Sequence, residues 1–206
     1  METDTYCRSE IRDNMHITWH QPITMDDGLV LRADIYRPID MKAKCPIILN
    51  YGIYGKGVAY QQGYPLQWEK MTTDHPEILK MSSNKYQNWE TTDPECWVPH
   101  GYAIVRIDSR GAGCSPGFMD PGGPRETEDL YQCIEWAGAQ PWSNGKVGML
   151  GISYYASNQW RVAGMHPPPR TWRRSSRGRD RPTVTATAAT MAASSLSFKS
   201  AGPNIR

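Results

Sequence analysis

Hydrophobic residues in this chain gather into a few short runs separated by polar, glycine- and proline-rich stretches, and those runs define strands before any residue suggests chemistry. His16 to Pro22 reads as a first strand. Leu29, Leu31, Ala33 and Ile35 alternate with other residues up to Tyr36, and the turn Asp26-Asp27-Gly28 between the two runs predicts a hairpin. Pro38 ends it, because proline has no N–H for a ladder. Pro46 to Tyr51 is a continuous apolar run, the pattern of a strand buried on both faces, and Tyr102 to Asp108 is another central strand. A further run from Lys146 ends at Gly151-Ile152-Ser153 and passes straight into residues of helical character, Tyr154 to Met165. From Arg125 to Ala139, Leu130, Ile134 and Ala137 fall at helical spacing. Glu126, Glu128 and Asp129 crowd the first turn of that helix, where its positive end favours acids, so charge complementarity accounts for them better than catalysis does.

Strand, helix, strand, helix in that order implies right-handed crossovers and a parallel sheet, which the hairpin makes mixed. The predicted class is therefore α/β. Ligands in such sheets bind beyond the carboxyl ends of the strands, where Tyr51 to Tyr54, Asp108 to Gly113 and Ser153 would all emerge. Between Gly52 and Trp97 no period is sustained, so this segment is either a functional loop or lid, or a surface excursion.

Composition narrows the picture. A chain of 206 residues with 39% hydrophobic content can bury one core of ordinary size. No run approaches eighteen apolar residues, which argues against a membrane-spanning helix, and the polar start does not have the form of a signal peptide. The five cysteines are scattered without a C-x-x-C pair, so a reduced, cytoplasmic location is expected and neither metal nor cofactor is. The net charge of +2 hides a split: residues 1–169 carry 15 Lys and Arg against 20 Asp and Glu, residues 170–206 carry 8 against 1.

Ser153 stands at the corner between strand and helix. A serine there has its backbone in a sharp, strained turn, its hydroxyl stands proud of the sheet, and the N–H groups that follow point at whatever it attacks. The competing reading is that Gly-Ile-Ser merely ends a buried strand.

Five segments in order strongly resemble the CocE/NonD hydrolases, serine hydrolases related to X-Pro dipeptidyl-peptidases and cocaine esterase. They are Asp27-Gly28 with Leu31 to Pro38, Tyr51 to Lys56, Arg106 to Gly113, Pro141 to Gly145, and Gly151 to Ala156. The resemblance runs from about residue 16 to Pro168 and implies an incomplete alpha/beta-hydrolase fold, a mixed, mostly parallel sheet with an N-terminal hairpin. It also implies that Ser153 is the nucleophile for an ester or amide carbonyl, with the Tyr154 N–H and the Tyr54 phenol as oxyanion hole; Tyr54 as a packing aromatic is the alternative. Asp108 would order the loop after its strand, with Arg110 as a partner, and Ser115 to Pro124 would line the pocket wall. Two residues past the serine stands Tyr155 in place of the glycine of the general G-x-S-x-G pattern, with the small Ala156 next.

A serine hydroxyl needs a histidine to take its proton and an acid to orient that histidine, and in this fold both follow the serine. After Ser153 the sequence has one histidine, His166, and one acid, Asp180. His166 would lie roughly 18 Å along the helix from Ser153, too far to serve it. The expected organisation is a polar leader over 1–15, the N-terminal part of a hydrolase domain over 16–168, and a basic, disordered tail over 169–206. Permitted codons for residues 170–179, read one base away, open a hydrolase-like continuation, so a shifted reading frame is one origin for the tail. On this reading the substrate is a small ester, amide or short peptide, and the truncated chain is inactive alone. The alternative is a non-catalytic interaction protein whose arginine-rich tail binds nucleic acid or an acidic partner.

Overall fold

The structure, a computed structural model, describes residues 6–40 and 44–165. Six strands form one sheet: β1 (Arg8–Arg12), β2 (Met15–Thr24), β3 (Val30–Pro38), β4 (Cys45–Gly52), β5 (Ala103–Asp108) and β6 (Ser143–Met149), in the order β1-β2-β3-β5-β4-β6. The first three strands and the β3–β5 pair are antiparallel, while β4 pairs in parallel with both β5 and β6. Helices α1 (Tyr60–Gly63), α2 (Pro65–Asp74), α3 (Pro94–Trp97), α4 (Pro124–Gly138) and α5 (Tyr154–Ala163) complete the described chain. No helix among these residues is long and apolar enough to cross a membrane.

Successive residues of a strand face opposite sides of the sheet, and the two cores follow from that period of two. Leu31, Ala33 and Ile35 of β3, Ile47 and Leu49 of β4, and Val105 and Ile107 of β5 pack with Leu130, Cys133, Ile134 and Ala137 of α4. Their neighbours Tyr36, Ile48 and Ile104 point the other way and meet Met15, Ile17, Tyr86 and Val98. The sheet is therefore covered on one face by α4 and on the other by part of the segment between β4 and β5.

Two regions depart from expectation. Arg8–Arg12, within the expected leader, is a strand against β2, joined to it through Asp13 and Asn14 at φ 48° and 60°, the positive values of a tight hairpin turn. Its side chains are mostly polar and exposed, and its one hydrophobe, Ile11, is exposed too, which conceals it from a hydrophobic pattern. The stretch from Gly52 to Trp97 is not wholly irregular: it holds α1, α2, α3 and a 3-10 turn at Pro76–Lys80. α2 buries none of its residues, which is why no apolar stripe announces it.

Candidate active site

The chain leaves β6 at Met149 and enters α5 at Tyr154, with Ser153 as the residue that caps the helix. Ser153 has φ 54° and ψ −113°, a left-handed value that a side chain rarely adopts and that costs about 1–3 kcal/mol. A strand that simply stopped would have no reason to hold this strain. The residue is exposed, and its side chain makes no capping hydrogen bond to its own helix, so its hydroxyl is not committed there. Tyr154 is the first helical residue, and its N–H has no acceptor within α5. Hydroxyl and donor thus stand side by side at the positive end of a helix.

Three local ties hold the elbow. Asn50 of β4 donates its amide to the Leu150 carbonyl, and Asn158 of α5 donates to the Tyr51 carbonyl at 2.6 Å. Tyr155 is buried against two glycines: a Cβ on Gly52 would lie 2.7 Å from its ring, and one on Gly151 would lie 2.2 Å from its own Cβ. The tyrosine at the position of the usual glycine is accommodated because Gly52 and Gly151 leave its space open.

Tyr54 lies half-buried on the loop after β4, its ring centroid 6.1 Å from that of Tyr154 and 5.8 Å from that of Tyr155. Burial, then the nearby Glu90 carboxyl, pushes its phenol pKa up, so it keeps the proton it could donate. Its loop is held by a buried cation. Lys56 Nζ is 2.9 Å from Asp34 Oδ1 and 3.9 Å from Asp108 Oδ2, with all three side chains buried. Asp108 also accepts the Lys56 N–H at 2.6 Å and the Cys114 N–H at 2.8 Å, clamping together the loops that follow β4 and β5. Burial raises its pKa, although these donors and the Lys56 cation oppose the rise.

The expected partnership with Arg110 is corrected. Both Asp108 oxygens already accept backbone N–H groups, and Arg110 turns instead to α4, where it binds Asp129 through two nitrogens at 2.8 and 3.0 Å and meets Asp27 at 2.9 Å. The acids of α4 also do more than balance a helix end. Tyr154 donates its hydroxyl to Glu126 Oε1, and Glu126 Oε2 accepts the Gly122 N–H at 2.6 Å. A cavity of about 220 Å³ lies beside this contact, lined by Arg110, Phe118, Asp120, Arg125 and Glu126; Phe118 and Asp120 come from the segment after Ser115, and neither Ser153 nor Tyr54 is in its lining.

Three of the four described histidines are engaged with other partners, His16 with Arg37 at 3.0 Å, His20 with Lys56 at 2.9 Å and His75 with Glu77 at 3.2 Å, while His100 is exposed at the end of the short 3-10 turn that precedes β5. His166, Asp180 and the tail over 169–206 lie outside the described residues. Among the described residues no three of His, Cys, Asp and Glu are grouped as a metal would require.

Pattern reasoning reaches Ser153 and Tyr154, and resemblance adds Tyr54. It misses Asn50, Asn158, Lys56 and Glu126, whose roles arise from contacts between distant segments. Only the glycine at position 52, unusual at the end of a buried strand, could have pointed to the seat of Tyr155.

Known proteins bear on this geometry. A family model described as X-Pro dipeptidyl-peptidase (S15 family) matches residues 27–178. The cocaine esterase of Rhodococcus sp. is 29% identical over 150 residues, covering 73% of this chain and 21% of the esterase. A putative Xaa-Pro dipeptidyl-peptidase of Bacillus cereus is 26% identical over 134 residues, 58% of this chain and 22% of the relative. The crystal structure of a CocE/NonD family hydrolase from Staphylococcus aureus superposes with a TM-score of 0.64 at 32% identity, over 81% of this chain and 30% of that one. The chain thus spans about a fifth of the length of these curated relatives.

Proposed function

The chain belongs to the X-Pro dipeptidyl-peptidase (S15) family, and from that premise we propose that it carries the nucleophile and oxyanion hole of a serine hydrolase acting on esters or amides. The observation that carries this reading is Ser153 at φ 54° and ψ −113°, between a parallel strand and the first turn of α5. In the proposed step the Ser153 Oγ bonds to the acyl carbon as its proton passes to a base, and the carbonyl electron pair moves onto the oxygen. The Tyr154 N–H and the Tyr54 hydroxyl donate to that oxygen; one such donor typically contributes on the order of 3 kcal/mol to the transition state. As the intermediate collapses, the carbonyl re-forms, the bond to the leaving group breaks and the base returns its proton to the departing alcohol or amine, leaving an acyl-serine that water then hydrolyses. Substrates of this class are small esters, amides or short peptides.

Among the described residues no histidine or acid is hydrogen-bonded to the Ser153 hydroxyl, so Ser153 in this chain is expected to react slowly. In well-studied hydrolases the oxyanion hole and binding alone retain roughly 10³–10⁴ over water when triad members are removed. The test is prolonged labelling of the purified chain with a fluorophosphonate probe beside Ser153→Ala. Slow labelling that disappears in the variant supports the reading. Labelling equal in the two proteins removes Ser153 as the nucleophile, and fast labelling shows that a base reaches it within this chain.

A further inference from the structure

β2 does not run regularly along β3. Its register shifts between Thr18 and Gln21, and within that bulge His20 has φ 54°, a left-handed backbone on a residue other than glycine. A bulge re-aims the side chain it carries, and strain of this kind persists only where the surroundings impose it. The His20 N–H donates to Asp34 Oδ1 at 2.9 Å, and the His20 carbonyl accepts from Arg32 at 3.3 Å. The ring is thereby aimed at the buried Lys56, with Nδ1 2.9 Å from Nζ. Lys56 also meets Asp34 Oδ1 at 2.9 Å, so one carboxylate oxygen holds both the His20 backbone and the Lys56 ammonium. The Lys56 N–H donates to Asp108, and Tyr54 stands two residues earlier on the same loop.

An ammonium has only protons to give, so Nδ1 accepts, the imidazole is neutral and its own proton sits on Nε2. The groups around this ring come from several segments. Tyr6, ahead of β1, stacks on it at 4.4 Å, with Arg32 5.5 Å over the Tyr6 ring and the Tyr6 hydroxyl donating to Cys114 Sγ at 3.8 Å. Arg8 of β1 and Arg32 of β3 add positive charge to that of Lys56, and Asp34 of β3 adds negative charge. Asp108 of β5 lies on the other side of the ammonium, 3.9 Å from Nζ. Among these groups the imidazole is the one whose ordinary pKa falls between pH 5 and 8.

A protonated ring has no acceptor left at Nδ1 and sets a second cation against the ammonium. We propose that His20 is a positioning residue: its neutral imidazole latches Lys56, and with it the Tyr54 loop, and protonation of the ring in acid releases the latch. Burial first, and then the Lys56 charge, hold the His20 pKa below the ordinary histidine value, so the latch is closed at neutral pH. The consequence for Ser153 rests on the assignment of Tyr54 as an oxyanion donor, and the test separates the two.

Two variants of the full chain isolate the acceptor. Asparagine tolerates a left-handed backbone, and its Oδ1 takes the place of Nδ1 as an acceptor that does not titrate, whereas leucine fills space and accepts nothing. Wild type, His20→Asn and His20→Leu are followed from neutral to acid pH by long-range proton–nitrogen NMR of the ring, by exchange of the Lys56 amide corrected for intrinsic rates, and by fluorophosphonate labelling. The wild-type ring is expected as the Nε2–H tautomer, protonating below the ordinary value. A ring whose pKa is lower with the loop closed than with it open favours opening as pH falls between the two. Protection of the Lys56 amide should therefore drop by up to about tenfold per pH unit from about 6.5 down to the folded midpoint. His20→Asn should match the wild type at neutral pH and stay level through that window, and His20→Leu should be poorly protected throughout. Labelling of the wild type relative to His20→Asn should fall with the protection. An Nδ1-protonated tautomer at neutral pH overturns the proposal, as does His20→Leu protected like the wild type. A loss equal in wild type and His20→Asn also overturns it, by assigning the titration to Asp34 or Asp108. Protection that follows the ring while wild type and His20→Asn label alike upholds the latch and strikes Tyr54 as an oxyanion donor.

Discussion

β4 and β6 are parallel neighbours, and both deliver a loop to the same site, yet they are built in different ways. β4 buries seven of its eight residues between two cores, and the loop it feeds carries a buried lysine that pairs with two buried aspartates. β6 lies at the end of the sheet order and buries two of its seven residues, Ser143 and Val147. Its serine corner is held by a few discrete ties to β4, namely Asn50, Asn158 and the seat of Tyr155 on Gly52. The lesson is that the nucleophile takes its position from its neighbour's core. The two halves should therefore fail differently when cut.

Removing the cation at the centre should have the largest effect. Lys56→Ala leaves the Asp34 and Asp108 carboxylates buried without their charge partner, a loss of about 3–5 kcal/mol. Urea unfolding should show a midpoint shift with unchanged slope, because the whole sheet depends on this centre. A change below about 1 kcal/mol would mean that the cluster is not the anchor of the Tyr54 loop.

Gly52→Ala acts at the seam. Its new Cβ would stand 2.7 Å from the Tyr155 ring, and overpacking of this kind costs about 1–3 kcal/mol. Unlike the lysine substitution, it should suppress Ser153 labelling in protein that is still folded, since the ring it displaces belongs to the first turn of α5. Full labelling in a destabilised Gly52→Ala would break the claim that the elbow is seated on β4. Asn158→Ala is the milder version. It removes one buried hydrogen bond to the Tyr51 carbonyl, worth about 1 kcal/mol net, and should lower labelling less than Gly52→Ala does.

The same contrast explains what was legible in the sequence. The apolar runs of β4 and β5 name buried strands because hydrophobic density and burial are one signal there. The elbow is legible because strand, sharp turn and helix are contiguous. β1 is hidden by its exposed, mostly polar side chains, and α2 by having no buried face. Asp108 is recognisable as a loop-ordering acid, but its cation is Lys56, 52 residues away along the chain, and a neighbour such as Arg110 is the natural wrong choice.

The smallest effect is expected at the rim, where ion pairs join the hairpin to α4 without touching either core. Asp26 accepts from Arg125 at 2.5 Å, and this contact, with help from Gln132, holds its carboxyl pKa down to about 2. A carboxylate with a folded pKa below its unfolded value stabilises the fold above the unfolded pKa, near 4, and that contribution disappears as pH falls toward 2. Asp26→Asn should therefore melt below the wild type at neutral pH, with the difference shrinking through this window and vanishing at its acid end. Asp26 is exposed, so added salt should also shrink the gap, whereas the deficit of Lys56→Ala should survive salt because its partners are buried. Melting curves for both variants at low and high salt decide the matter: a salt-insensitive gap for Asp26→Asn would make the rim as much an anchor of the fold as its centre.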